Sequence, residues 1–205
     1  MLTLRSMATP QGLIDRSLAE FVRAAAAPGP VPGSGSVAAA LGALGAALGS
    51  MALGAARGED HAPEAARTAA RALGASAEAL LAAVDEDARA YQGFLEARAG
   101  RGALPEALAR SIAVPRTVAE GALAALERLS AGWAGIRPRL ASEGLTAAQA
   151  LLACVEGAAF TASANLEGLA DAGARAAQAG ELEALRGRAR DLARAVSTRA
   201  AEVQA

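Results

Sequence analysis

Apolar side chains recur every three or four residues through most of the chain, the spacing of amphipathic α-helices. One such stripe indicates a helix from about Glu64 to Ala99, and another indicates a last helix from about Leu182 to Val203. Valine, isoleucine and threonine are few and scattered, which argues against a sheet. The pattern therefore predicts an all-α protein.

Capping and helix-breaking residues set the predicted ends of the first two helices. A capping box, Ser17–Glu20, opens a helix over about residues 18–27, and the proline- and glycine-rich segment 28–35 ends it. We expect Ser36 to cap the long apolar helix that follows, which ends near Gly58.

Similar signals divide the second half of the chain. Pro105 starts a helix, and Pro115 is expected to kink or interrupt it. A loop is predicted around Pro138 and residues 141–144. A second capping box, Thr146–Gln149, is expected to open a helix that runs to about Leu169.

These elements predict one domain over residues 1–205, an antiparallel bundle of six or seven helical segments with a long central Ala/Gly-rich helix. Alanine supplies 62 of the 205 residues. An alanine core buries less apolar area per residue than a leucine core, so we expect further burial between subunits, in a homodimer.

The central segment Ser36–Ala56 carries no charge and is long enough to span a bilayer. It consists mainly of alanine and glycine, which favours a helix that other helices cover on every side over a membrane helix. Gly42, Gly45 and Gly49 leave room for a neighbouring backbone. A membrane-embedded subunit is the alternative.

Composition excludes several kinds of chemistry. All 20 basic residues are arginine, so Schiff-base, pyridoxal-phosphate and P-loop mechanisms that need a lysine are excluded. The sequence has one cysteine, Cys154, and one histidine, His61, which argues against a zinc cluster and a Ser/His/Asp triad. The net charge of −1 gives no reason to expect nucleic acid or an anionic membrane as partner. No signal peptide is recognised, and a single cysteine suits the cytoplasm.

Two polar residues stand at positions that the apolar stripes reserve for the interior. Asp87 shares a helix face with Val84 and Tyr91, and a buried carboxylate normally has a partner or a task. Pairing with an arginine at the edge of that face is the structural alternative. Asn165, the only asparagine, shares a face with Leu169, and a hydrogen bond to a neighbouring helix is its structural alternative.

The glycine-rich turn Gly33–Ser36 precedes a helix N-terminus, whose free N–H groups can bind a carboxylate or phosphate. Such a turn can also serve only to link two helices. We expect His61 to be a cap or surface residue, Cys154 and Trp133 to lie in the core, and Glu156 to face solvent.

With these residues in place, the chain resembles the cyclodeaminase/cyclohydrolase family. This family comprises the C-terminal half of formiminotransferase-cyclodeaminase and bacterial methenyltetrahydrofolate cyclohydrolases. The segment Pro30–Ala39 resembles the family signature Pro-x-Pro-Gly-Gly-Gly-Ser-Val-Ala-Ala. Weaker similarities, in the same order, occur at Asp87–Tyr91, Ala113–Pro115, Ser142–Glu143 and Asn165–Leu169.

The resemblance implies a homodimer that acts on a one-carbon tetrahydrofolate, with no metal and no cofactor. It implies catalytic roles for Asp87, which would stabilise a cationic carbon and accept a proton, and for Asn165, which would orient water or substrate. The implied substrate-binding residues are Pro32, Gly33, Ser34, Gly35, Ser36, Tyr91 and Glu143.

The preferred activity is hydrolysis of 5,10-methenyltetrahydrofolate to 10-formyltetrahydrofolate. The first alternative is formimidoyltetrahydrofolate cyclodeaminase, which closes the same ring with loss of ammonia. The second is a non-catalytic helical protein that binds a folate-like ligand, because residues 97–102 contain no lysine where family members often carry one.

Overall fold

Six α-helices and three short 3-10 turns form the computed structural model, which describes residues 12–55 and 64–204. No strand occurs in these residues, which confirms the predicted all-α class. The α-helices are α1 (Leu18–Ala26), α2 (Ser34–Gly54), α3 (Glu64–Arg98), α4 (Leu104–Gly132), α5 (Ala141–Asn165) and α6 (Ala172–Gln204). The 3-10 turns are Trp133–Gly135, Pro138–Leu140 and Leu166–Gly168.

Helices α2 and α4 each pack on both α3 and α5, and α6 covers α5 and α4. α2 is antiparallel to α5, since Ser34 at the start of α2 contacts Thr161 near the end of α5. α2 is also antiparallel to α3, because Ser36 contacts Asp87 while Ser50 contacts Ala70. These directions bring the start of α2 and the end of α5 to the same end of the bundle.

The small residues of α2 allow a close approach to α5. A Cβ atom on Gly45 would lie 2.9 Å from the main-chain oxygen of Ala147, so a side chain there would push the two helices apart. The predicted role of this glycine as space for a neighbouring backbone is confirmed. Cys154 and Trp133 are also buried, as expected.

Two expectations for α2 are wrong. The helix begins at Ser34 with Gly33 as its N-cap, and Ser36 lies inside the first turn with its hydroxyl used elsewhere. Other helices do not cover α2 on every side, since the side chains of Leu44 and Met51 are 62% and 45% exposed. This exposed face could not be recognised from the alanine-rich sequence, because it lacks the polar residues that usually occupy the solvent-facing side of a helix.

Pro115 does not interrupt its helix. α4 runs from Leu104 to Gly132 with Pro115 buried inside it. A proline within a helix removes the N–H that would bond to the carbonyl four residues earlier, here that of Ser111. A side chain from α5 supplies the missing donor, as described below.

The start of α5 is also earlier than predicted. The helix begins at Ala141, so Thr146 lies within it and caps nothing. Glu156 does not simply face solvent, because its carboxylate binds the guanidinium groups of Arg186 and Arg190 and joins α5 to α6. In contrast, the capping box at Ser17 and the start of α4 next to Pro105 agree with prediction. His61 lies outside the described residues.

Two helical stretches, Ser34–Gly54 and Pro138–Gly168, have the length and apolar composition that crossing a membrane requires. Core helices of soluble proteins have the same properties. About half of each stretch is buried against the other helices of the bundle.

Candidate functional site

A cavity of about 380 Å³ opens where the start of α2, the middle of α3, α4 and the end of α5 meet. Its walls bring together most of the polar residues singled out in the sequence. Among the described residues that line it, Asp87 is the one charged side chain. The uncharged residues of its lining include Gly33, Ser34, Gly35, Tyr91, Ser111, Phe160, Thr161, Ala164 and Asn165.

Asp87 lies at the buried side of this cavity, where it is 7% exposed. Its Oδ2 accepts a hydrogen bond of 3.0 Å from the hydroxyl of Ser36, and the carboxylate also accepts the backbone N–H of Ser36. No arginine pairs with it in the described part of the chain. The expected inward orientation is therefore correct, and the carboxylate closes the N-terminus of α2, where the helix dipole favours negative charge.

Gly35 explains how α2 and α3 come close enough for this contact. A Cβ atom at position 35 would lie 2.7 Å from Oδ2 of Asp87, too close for any side chain. The glycine in the signature thus makes room for the carboxylate. Replacing it would displace either the helix end or Asp87.

Burial raises the pKa of Asp87, and the two hydrogen bonds from Ser36 oppose that rise. Burial is the larger effect, so the pKa lies above the ordinary value for aspartate. A carboxyl group with a raised pKa can accept and return a proton closer to neutral pH than an exposed one. Asp87 therefore has the properties of a general acid–base.

Asn165, in the last turn of α5, lines the same cavity as Asp87. Its Nδ2 donates a hydrogen bond of 2.7 Å to the main-chain oxygen of Ser111, the carbonyl that Pro115 leaves without its helical donor. The bond to a neighbouring helix, considered from the sequence, is present. It also fixes the amide so that Oδ1 remains available as an acceptor.

The turn before α2 provides the third wall. Thr161 donates to the carbonyl of Gly157 over 2.9 Å, so its oxygen is left to accept from the Ser34 hydroxyl at 2.8 Å. Ser34 thus joins the start of α2 to the end of α5. Pro32 is buried behind the turn, and the Val31–Pro32 peptide is cis.

Two aromatic side chains flank the mouth. Phe160, one of three phenylalanines in the chain, is 66% exposed, and Tyr91 is also exposed. Large rings left in solvent beside a cavity can stack on a flat ligand. Phe160 was missed in the sequence, where it appeared as one more apolar residue of a helix.

Three of the predicted site residues are not in this cavity. Glu143 begins α5 whereas Asn165 ends it, and 22 residues of helix separate the two by about 33 Å. Its carboxylate accepts the hydroxyl of Ser142 instead. Ser36 is fully buried, so it positions Asp87 rather than contacting a ligand, and Pro32 lies behind the wall.

Ser111 and Thr161 belong to the site although the sequence did not single them out for it. Ser111 could have been found, since it lies four residues before an internal proline and so carries an unpaired carbonyl. Thr161 gave no such signal. Its role depends on how α5 meets α2, which spacing along one helix does not report.

The described residues contain no group of three or more histidine, cysteine, aspartate or glutamate side chains arranged to hold a metal ion. Burial raises the pKa of Cys154 to about 12, so its thiol is not a nucleophile at neutral pH. Among the described residues that line the cavity, Asp87 carries the one carboxyl group, and the neutral polar side chains belong to Ser34, Tyr91, Ser111, Thr161 and Asn165.

Comparison with known proteins agrees with the all-α fold. The formiminotransferase-cyclodeaminase family matches residues 17–184 of the chain. A crystal structure of formiminotetrahydrofolate cyclodeaminase from Thermotoga maritima superposes with a TM-score of 0.80, over 93% of this chain and 98% of that one. At 22% identity that likeness is one of fold.

Two curated relatives are formimidoyltransferase-cyclodeaminases. The rat protein is 35% identical over 78% of this chain, and the mouse protein is 41% identical over 54% of it. The chain spans 32% of the length of the rat protein and 23% of the mouse protein. The extent of the family match, together with these identities, shows that the chain belongs to the formiminotransferase-cyclodeaminase family.

Proposed function

We propose that this protein is a formimidoyltetrahydrofolate cyclodeaminase, which closes the ring of 5-formiminotetrahydrofolate and releases ammonia. The relatives and the similar structure carry cyclodeaminase names, so this activity replaces the cyclohydrolase as the first choice. The observation that carries the proposal is the buried carboxylate of Asp87, the one charge in a cavity walled by apolar and neutral polar groups.

The reaction needs one proton to move between two nitrogens of the substrate. The formimino group enters in its protonated, amidinium form. N10 attacks the formimino carbon on N5, a C–N10 bond forms, and the N10 proton passes to the carboxylate of Asp87. The protonated carboxyl then gives this proton to the departing amine as the C–N bond breaks, and ammonia leaves. A single group with a raised pKa can perform both transfers.

The product is the 5,10-methenyl cation, and Asp87 is ionised again when it forms. A buried carboxylate, such as that of Asp87, stabilises a nearby cation more strongly than it would in bulk water. Oδ1 of Asn165 would accept an N–H of the formimino group, because its Nδ2 is held by Ser111. Tyr91 and Phe160 would contact the pterin ring.

Cyclohydrolase activity is the second candidate, since the same carboxylate could accept a proton from water that attacks the methenyl carbon. Two assays separate the candidates. A cyclodeaminase forms methenyl absorbance from 5-formiminotetrahydrofolate and releases an equal amount of ammonia. A cyclohydrolase instead removes methenyl absorbance from 5,10-methenyltetrahydrofolate without ammonia, and a protein inactive in both assays that still binds folate is non-catalytic.

We also propose a homodimer, in the cytoplasm, that needs no metal or cofactor. A largely apolar surface formed by α1, α2, α3 and the residues just before α1 supports the dimer, and a surface of this kind usually binds another protein. Its exposed apolar members are Ile14, Leu18, Leu44 and Leu81, and they line one shallow pocket together with the charged residues Arg16 and Glu78. Because an alanine-rich core buries a limited apolar area within one subunit, a second copy of the chain is the favoured partner.

A further inference from the structure

A second cavity of about 480 Å³ adjoins the first. The two share Tyr91, Ala164 and Asn165 as walls, so they form one continuous groove. Asp87 lies at one end of this groove, and Arg98 lines the other. Along α3 these residues are 11 positions apart, a rise of about 16 Å.

The far end of the groove combines an aromatic wall with a positive charge. The rings of Tyr91 and Phe94 lie 6.5 Å apart between centroids, and Cζ of Arg98 lies 5.8 Å from the centroid of Phe94. Side chains on a helix lean toward its N-terminus, so the guanidinium of Arg98 extends back over Phe94 in the direction of Asp87. Stacking on an aromatic ring holds a guanidinium in place without using its N–H donors.

Arg98 forms no ion pair within the part of the chain that the structure describes. The remaining charge in this cavity is Glu167, which is exposed on the turn after α5. A guanidinium with free donors beside a ligand groove is suited to bind a carboxylate in bidentate fashion. Glu167 would weaken such binding by repulsion.

We infer that Arg98 binds the carboxylates of the substrate's glutamate tail, so that the folate lies along the groove with its reacting carbon at Asp87. This inference rests on the proposed function. The aminobenzoyl ring connects the pterin to the glutamate, and it passes the wall formed by Tyr91 and Phe94. The two ends of the ligand then match the groove in charge, since the cationic carbon meets a carboxylate and the anionic tail meets a guanidinium.

This orientation assigns the glycine-rich turn to the pterin end. Gly33–Gly35 line only the cavity that contains Asp87 and do not reach Arg98. The backbone of the turn therefore contacts neutral polar edges of the pterin, whereas recognition of the tail depends on the last turn of α3.

Two stable ligands test the inference by calorimetry: 5-formyltetrahydrofolate, and 5-formyltetrahydropteroate, which lacks the glutamate. The unmodified protein should bind the first about five- to tenfold more tightly. Arg98→Gln should remove this preference and leave binding of the pteroate unchanged. Glu167→Gln should increase the preference, because it removes a like charge from the same cavity.

Arg89→Gln is the matched control, since Arg89 is an exposed arginine on α3 that lines neither cavity. It should retain the preference. Equal affinity of the unmodified protein for both ligands, or equal weakening of both by Arg98→Gln, would overturn the assignment of the tail and leave the cyclodeaminase proposal standing. Failure of the unmodified protein to bind either ligand would overturn both.

Discussion

Asn165 and Ser111 are joined because a proline lies four residues beyond Ser111. Nδ2 of Asn165 donates over 2.7 Å to the Ser111 carbonyl, which has no helical donor since Pro115 lacks an N–H. A break in the bonding of α4 is thus used to hold a side chain of α5. Pro115 and Asn165 thus act as one unit, which fixes an amide in the cavity that also contains the carboxylate we place at the centre of catalysis.

This unit can be tested with a double-mutant cycle on stability. Asn165→Ala leaves a partly buried carbonyl without a donor and should lower the free energy of unfolding by about 1–3 kcal/mol. Adding Pro115→Ala to it supplies a backbone N–H to Ser111, so the double variant should regain most of that loss. Denaturant unfolding followed by circular dichroism measures all four proteins.

Strictly additive effects of the two substitutions would contradict the shared role. In this cycle the second substitution should restore stability but not activity. The double variant should fold well yet remain inactive in the ammonia assay, because the amide that faces the substrate is missing.

Asp87→Asn should lower kcat by a factor of about 100 or more, since an amide cannot carry the proton. The variant should still bind 5-formyltetrahydrofolate, because the cavity keeps its shape. Glu86→Gln is the control: its side chain is exposed, lies next to Asp87 in sequence and pairs with Arg110 on the surface. Turnover by Asp87→Asn at the rate of this control would refute the catalytic role.

The same substitution should change how stability depends on pH. Burial raises the pKa of Asp87 in the folded state, so the folded protein holds this proton to a higher pH than the unfolded chain does. The contribution of Asp87 to stability is therefore complete at acid pH and is lost as pH rises from the ordinary value of 3.8 through the raised pKa.

Asp87→Asn removes this loss. Its free energy of unfolding relative to the unmodified protein should increase as pH rises through that range, whatever constant offset the amide introduces. Denaturant titrations at several pH values measure the difference. A difference in free energy of unfolding between the two proteins that does not vary with pH would show that the pKa of Asp87 is the same in the folded and unfolded states.

Ser36→Ala should move the acid limb of the kcat/KM profile to higher pH. The hydroxyl of Ser36 bonds to the ionised form of Asp87, and losing that bond raises the pKa of the carboxyl further. Ser50→Ala is a close control, because Ser50 also joins α2 to α3 but bonds to the carbonyl of Ala70. Both variants should lose about 1 kcal/mol of stability, whereas only Ser36→Ala should shift the profile.

Leu44→Glu should convert the proposed dimer to a monomer. Leu44 is exposed on the apolar surface of α2, so a charge there disrupts association with little effect on the fold of one subunit. Val203→Glu, at an exposed apolar position near the end of α6, should remain dimeric. Light scattering at micromolar concentration decides, and an unmodified protein that is monomeric would contradict the proposal.

Periodicity and capping signals were sufficient for the all-α class and for most helix ends. The alternation of stripes and breakers is local, and tertiary packing rarely overrides a long amphipathic helix. The errors occurred where the local signal was ambiguous. Ser36 and Thr146 both suit a cap, yet each lies inside a helix, and the hydroxyl of Ser36 bonds to Asp87.

The sequence by itself determined which groups are available for chemistry. The absence of lysine, and the single histidine and cysteine, left one inward aspartate and one inward asparagine as candidates, because helical spacing reports which side of a helix faces inward. It could not report what those groups meet, since their partners lie 51 and 54 residues away along the chain.

Only the tertiary structure decided which candidates share a site. Antiparallel packing brought the start of α2 and the end of α5 together around Asp87, and the length of α5 carried Glu143 to the opposite end. It also revealed Arg98 at the end of a groove. The physical reason is that a helix is rigid: spacing predicts a residue's face, whereas the crossing of helices sets its neighbours.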